Sequence, residues 1–169
     1  MATETSLVLS LVRAVGLTSS AIATGGLLAT SHIGVSPIFD APPALRAKQL
    51  HHVYDLGVRI GPPLAVLSAF CYCYLAIKSP HTSSSRGFLW AAAALALDIA
   101  PYTGLFMAKT NKRIFALDEE LHDEGQEGEV TKAKEDEVGI LVKRWKWLNF
   151  GRGTLPLVAT ICGLYAILF

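Results

Sequence analysis

Four stretches of this chain, about 14–35, 54–77, 87–108 and 152–169, are apolar over most of the length a helix needs to cross a bilayer. That length is roughly 20 residues for about 30 Å of hydrocarbon. Inside lipid each backbone N–H and C=O must find its partner within the segment, so such stretches become α-helices. Four of them in 169 residues predict one all-α domain, an integral membrane up-and-down four-helix bundle. The composition agrees: 51% of residues are apolar, 17% are charged, and mean hydropathy is +0.40. This balance excludes a disordered chain, and a net charge of +1 offers no basic excess to hold nucleic-acid phosphates. Cys71, Cys73 and Cys162 form no C-x-x-C pair and are an odd number, which predicts free thiols and neither a disulfide framework nor a zinc site.

The spans differ in what interrupts them. The first carries no charge and is rich in small residues (Ser19, Ser20, Ala21, Ala23, Gly25, Gly26, Ala29) that let a neighbouring helix approach closely. It is longer than a signal-peptide core and is read as retained. A polar stretch, His51 to Arg59, opens the second span, and Pro62 and Pro63 bend or start its apolar part. Asp98 and Pro101 break the third. Residues 109–152 then hold nine of the fifteen Lys and Arg residues and ten of the fourteen acids. Their middle, 118–137, is dominated by Asp, Glu, Lys and Gly, which predicts a mobile charged loop between the third and fourth helices. The excess of Lys and Arg near span ends on that side predicts that it faces the cytosol.

Ionisable groups at membrane depth are costly, so each one invites a functional reading with a named partner. If the mouth of the second span is helical, His51, Asp55 and Arg59 fall on one face at i, i+4 and i+8, with His52 and Tyr54 beside them. A carboxylate next to an imidazole can orient it as a base; the competing reading is an interfacial cap with an Asp55–Arg59 ion pair. In the third span Asp98 and Tyr102 are one turn apart. Pro101 frees a carbonyl there, which predicts a polar pocket that also involves Thr103, Met107, Asn111 and Arg113. At the start of the fourth, Trp145, Asn149 and Arg152 share a helical face at i, i+4 and i+7: an aromatic wall, an amide and a cation pointing one way. Lys143, Lys146 and Trp147 read as the aromatic belt and positive flank of a membrane surface. His32, His51, His52, Asp55 and His122 are the available metal donors, but none has the spacing of a known binding motif, so no metal is expected. No Gly-rich phosphate loop or dinucleotide fingerprint occurs, so a flavin or nicotinamide is not expected either.

Pro101-Tyr-Thr, Met107 and Thr110-Asn111 at the end of the third span, followed by Trp147, Asn149 and Arg152 at the fourth, resemble a known family. It is the DUF1772 group of small four-span membrane proteins that includes the anthrone oxygenases of aromatic-polyketide pathways. The resemblance covers nearly the whole chain through its span layout. It implies a membrane monooxygenase that converts the central CH2 of a hydroxylated anthrone to the carbonyl of an anthraquinone. O2 would be co-substrate, with no cofactor, and the other partners would be an aromatic polyketide substrate and membrane lipid. The resemblance supports Asn111, Asn149 and Arg152 as the oxyanion site, while spacing alone offers His51 or His52 as base with Asp55 to orient it. Tyr54, Arg59, Asp98, Tyr102, Thr103, Met107, Arg113, Trp145 and Trp147 would contact substrate. The alternative is a non-catalytic four-span scaffold that docks a partner through the charged segment.

Overall fold

A computed structural model describes residues 2–81, 83–124 and 131–169. Among the described residues six α-helices follow one another: α1 (Ala2–Ala29), α2 (Pro43–Lys78), α3 (Ser84–Leu97), α4 (Ile99–Tyr102), α5 (Ala108–Glu124) and α6 (Lys132–Leu168). A π-helical turn, Thr30–Gly34, prolongs α1, and a 3-10 turn, Pro37–Asp40, leads into α2. A second π-helical turn, Thr103–Met107, joins α4 to α5. Among the described residues there is no strand. Four segments, Ser6–Asp40, Pro43–Lys78, Ser84–His122 and Lys132–Leu168, are long and apolar enough to cross a membrane, which fits a multi-pass membrane protein.

Packing follows the up-and-down order: α1 lies against α2 and α6, and α3 lies against the same two from the opposite corner. The 36 residues of α2 and the 37 of α6 run about 55 Å at 1.5 Å per residue, well beyond a hydrocarbon core of about 30 Å. Their surplus, together with α5, forms a head on one side. Pro43 starts α2 at the first helical position, where its missing N–H costs nothing. Pro62 and Pro63 then sit inside that helix and do not end it. Pro101 acts differently: α3 stops at Leu97, Asp98 is a turn, and the chain resumes as α4 and the π turn, the break that a missing N–H in the third span predicts.

Two cores hold the bundle. Toward the chain termini Ala69, Ala76, Ala92, Ala93, Ala96 and Ala159 bury small faces around Tyr72, Leu75 and Leu89. In the head, Leu50, Ile114, Leu117, Leu121, Val142 and Trp145 pack with Val35 and Ile38. The three cysteines are free.

The segment expected as a mobile loop, 118–137, is largely helical. Helix α5 continues to Glu124 and α6 begins at Lys132; residues 125–130 lie outside the described residues. The reason is an amphipathic stripe hidden in the charge: Ile114, Leu117 and Leu121 recur at i, i+3 and i+7 and are all buried. Arg113 then ties the two helices, with Nε 2.6 Å from Glu137 and Nη1 2.8 Å from Glu120, while Lys134 reaches Glu120 at 3.3 Å. These groups stand on the hydrophilic extension beyond the apolar spans, and hydrogen bonds from Arg113 hold both carboxyls below their ordinary range.

Candidate functional site

The face of α6 that carries Trp145, Asn149 and Arg152 closes one end of a cavity of about 300 Å³ between α1 and α2. Trp145 is 2% exposed, Asn149 is fully buried, and Arg152 is 7% exposed. The other walls are almost wholly apolar: Ala23, Gly26 and Leu27 from α1 face Val53, Gly57 and Gly61 from α2.

Arg152 is held by neutral groups only. Its Nη2 donates to Asn149 Oδ1 at 2.5 Å and its Nη1 to Thr103 Oγ1 at 3.1 Å, while Nε is buried without a partner. Asn149 in turn donates from Nδ2 to the Leu27 carbonyl at 3.0 Å and to Ser31 Oγ at 2.8 Å, which fixes its amide oxygen toward the cation. Ser31 donates to the Leu27 carbonyl at 2.8 Å and Thr103 to the Ile99 carbonyl at 2.7 Å. Both hydroxyls therefore have fixed orientation, and each belongs to a π-helical turn. Such turns recur at functional sites because the extra residue re-aims side chains. Tyr54 and Tyr102 are close enough for their phenols to interact with the Arg152 charge. Gly151 makes room for Tyr102: a Cβ at that position would stand 2.6 Å from the Tyr102 hydroxyl.

No carboxylate among the described residues pairs with Arg152. A buried guanidinium in a membrane helix costs about 2.5–3.5 kcal/mol on insertion scales, and an anion is the usual compensation. Here the cation ends an apolar cavity. The arrangement suits a flat apolar molecule that carries or develops negative charge, with Trp145 as a surface to lie against.

The remaining expected residues divide clearly. His51 is half-buried on the face of α2 toward α5 and does not line the cavity. Its Nδ1 is 2.7 Å from Asp118 Oδ2, its ring stacks on Phe115 at 4.2 Å, and Asp55 is 3.9 Å from Nε2. The carboxylate that orients this histidine is thus Asp118, in the stretch expected to be a loop, and not Asp55. The two carboxylates address opposite ring nitrogens and do not converge on one point. Tyr54, one turn along α2, leans on the same Phe115 at 5.1 Å. His52 is exposed and lines a separate, shallower cavity near Pro37, Ile38 and Leu45. Arg59 is exposed, and the Asp55–Arg59 pair does not form.

Asp98 sits half-buried at the helix break and does not line this cavity. Met107 is fully buried in the head core next to Trp145. Asn111 lies buried one turn further along α5, and its Oδ1, like the Thr110 hydroxyl, has no partner; neither lines the cavity. Arg113 belongs to the ion-pair cluster of the head, and Trp147 is 59% exposed, edge-on to Phe150, on the outside of α6. Among the described residues no three of His, Cys, Asp and Glu are grouped as metal ligands would be.

Sequence reasoning missed Ser31 and the glycines of the cavity. Ser31 is a short hydroxyl in an apolar run and carries no signal of its own. Of the glycines, Gly26 alone stands among the small residues expected to pack helices, and nothing in the sequence singles out Gly57 or Gly61. Yet a Cβ at any of the three would meet nothing within 4 Å. Their absence of side chain leaves space that the cavity occupies.

Four helices long and apolar enough to cross a membrane, around a cavity that ends on a buried arginine with no carboxylate partner among the described residues, fit a multi-pass membrane bundle. Residues 50–162 match the anthrone oxygenase family. The chain is 30% identical over 158 residues to anthrone oxygenase tpcL of Aspergillus fumigatus, covering 89% of this chain and 92% of that one. It is 29% identical over 170 residues to anthrone oxygenase encC of the same organism (94% and 93%). To the noranthrone monooxygenase of Aspergillus flavus it is 26% identical over 145 residues (84% and 67%). No solved structure matches the chain. The chain belongs to the anthrone oxygenase family and is accordingly an oxygenase.

Proposed function

We propose that this chain oxidises the central methylene of a hydroxylated anthrone, an aromatic polyketide, to the carbonyl of the anthraquinone, using O2 and no cofactor. The observation that carries the reading is the buried Arg152, held by Asn149 and Thr103 and paired with no carboxylate among the described residues, at the end of an apolar cavity. A methylene between two aryl rings and conjugated to a carbonyl is acidic for carbon. Loss of its proton spreads negative charge onto the carbonyl oxygen, where the Arg152 guanidinium, pre-set by Asn149 and Thr103, stabilises it without rearrangement. The electron-rich anion then reduces O2. A C–O bond forms to give a hydroperoxide, and loss of the second C–H proton with cleavage of the O–O bond releases water and leaves the new carbonyl. One oxygen atom ends in product and one in water, so no external reductant enters the balance.

In this reading His51 takes the first proton, because Asp118 fixes its Nδ1 and leaves Nε2 as the basic atom. Tyr54, tilted against the same Phe115 and next in the chain to the cavity residue Val53, would carry the proton between the cavity and that histidine. Purified protein in detergent, given a hydroxylated anthrone anaerobically and then O2, tests the activity, with metal analysis of the same sample. Anthraquinone formed at sub-stoichiometric metal is expected. Turnover that follows bound iron or copper, or no turnover beyond the uncatalysed rate, would overturn the proposal.

A further inference from the structure

Where α1 and α2 meet, they do not stay together. At Gly16 they are in tight contact: a Cβ there would be 2.9 Å from Cys71 Cβ. Two turns and more toward the head the same two helices have parted, and Gly25, Gly26, Gly57 and Gly61 face open space. The result is a cleft whose apex is the Gly16–Cys71 crossing. Its head side is closed by Val35 and Ile38, both buried against Ala47 and Leu50 of α2. Its back is closed by Trp145, Asn149 and Arg152. Only the outward side, between the two helices, is left, and the residues there are Ile22, Leu56 and Ile60, which are 60%, 44% and 59% exposed while lining the cavity. On a span that crosses a membrane, such exposed aliphatics face acyl chains.

We infer that the Arg152 cavity is loaded sideways from the bilayer, through the α1–α2 cleft, by a planar polycyclic phenol dissolved in lipid. Gly26, Gly57 and Gly61 then set how large a ring system passes. The physics favours that route. A flat apolar molecule partitions into the bilayer, so its local concentration is highest where the cleft opens, and it need not cross the packed head. Glycine is required at the three positions because any side chain would fill the slot, not because the backbone is strained: among the described residues no glycine has positive φ. The ligand class rests on the anthrone oxygenase reading, whereas the sideways opening rests on geometry alone.

The test therefore reads the cleft and not turnover. In a Trp90→Phe/Trp147→Phe background, Trp145 is the sole tryptophan, and the protein is placed in phosphatidylcholine vesicles with or without acyl-chain-brominated lipid. Brominated chains are expected to quench Trp145, iodide in the water is not, and 1,8-dihydroxyanthraquinone is expected to quench it saturably. Gly57→Leu/Gly61→Leu should weaken the brominated-lipid quenching and abolish the saturable phase. Gly61→Ala adds a single methyl group into open space, and should show a partial loss of both if the double variant fails to insert. Iodide quenching that exceeds brominated-lipid quenching, or Gly61→Ala and Gly57→Leu/Gly61→Leu proteins that quench as the parent does, would overturn lateral loading. Anthraquinone-2-sulfonate, confined to water, should not compete with the dihydroxy probe, and competition by it would place the opening on the aqueous side. A protein that passes these tests but leaves an anthrone unoxidised retains the cleft and loses the chemistry.

Discussion

Between α2, α3 and α6 on the side of the chain termini, six of the nine buried core residues are alanines, small enough to let helix backbones come close around one large ring, that of Tyr72. Around Trp145 the contact is made instead by Leu50, Leu117, Leu121, Val142 and Met107, next to polar side chains and a cavity. Glycine shows the contrast best. A Cβ on Gly163 would lie 2.5 Å from the Tyr72 ring, so there glycine is contact; on Gly57 or Gly61 a Cβ would meet nothing, so there it is space. Small residues at a membrane helix interface let backbones approach. In this bundle that rule holds at Gly163 and again at Gly151 and Gly153, whereas Gly26, Gly57 and Gly61 keep a slot open next to a cation.

The largest effects should come from the cavity end and leave the alanine end intact. Arg152→Met removes the charge but keeps an unbranched apolar stem, and should slow anthrone oxidation on the order of 10²-fold or more with normal membrane insertion. A steady-state rate within a few-fold of the parent would mean that the cation serves packing. His51→Gln should lower the neutral-pH rate by a similar factor, about 10². The residual rate should climb in alkali, where the anthrone ionises without help, so the pH–rate profile separates a lost base from a misfolded helix.

The comparison between halves sharpens with one methyl group. Gly163→Ala should destabilise by about 1–3 kcal/mol, because the Tyr72 ring has nowhere to retreat in a close-packed layer. Gly57→Ala should stay within about 0.5 kcal/mol, as substitutions into open space do. Thermal unfolding in detergent reads both, and equal shifts would erase the distinction.

The smallest effect belongs to the head. Arg113→Ala removes a partly exposed cluster and should cost no more than about 1 kcal/mol. Since Arg113 holds Glu120 and Glu137 below the ordinary carboxylate range, their contribution is present above that range and fades as pH falls through the lowered values. The parent should therefore lose stability in acid more steeply than Arg113→Ala, which an unfolding series below pH 6 would detect.

What could be read from sequence was local. The face of Trp145, Asn149 and Arg152 follows from helical spacing alone, and the break at Pro101 follows from its missing N–H. Thr103 and Tyr102 were within reach for the same reason. Within 118–137 the acids and lysines hide Leu121, which continues the helical stripe of Ile114 and Leu117; Asp118, the partner of His51, lies in the same stretch. Ser31 and the cavity glycines were not legible in any local pattern. Their role depends on two helices parting, and on a π turn that no residue between Thr30 and Gly34 announces.

The central claim is that Arg152 stabilises an anion of the substrate inside the cavity. It can be seen without turnover by mixing the reconstituted protein with a hydroxylated anthrone under strict anaerobiosis at neutral pH and recording the absorption spectrum. The account predicts the red-shifted band of the anthrone anion in the parent, its absence with Arg152→Met, and its discharge to anthraquinone when O2 is admitted. An anthrone that binds un-ionised to the parent, and is oxidised equally fast by both proteins, would contradict it.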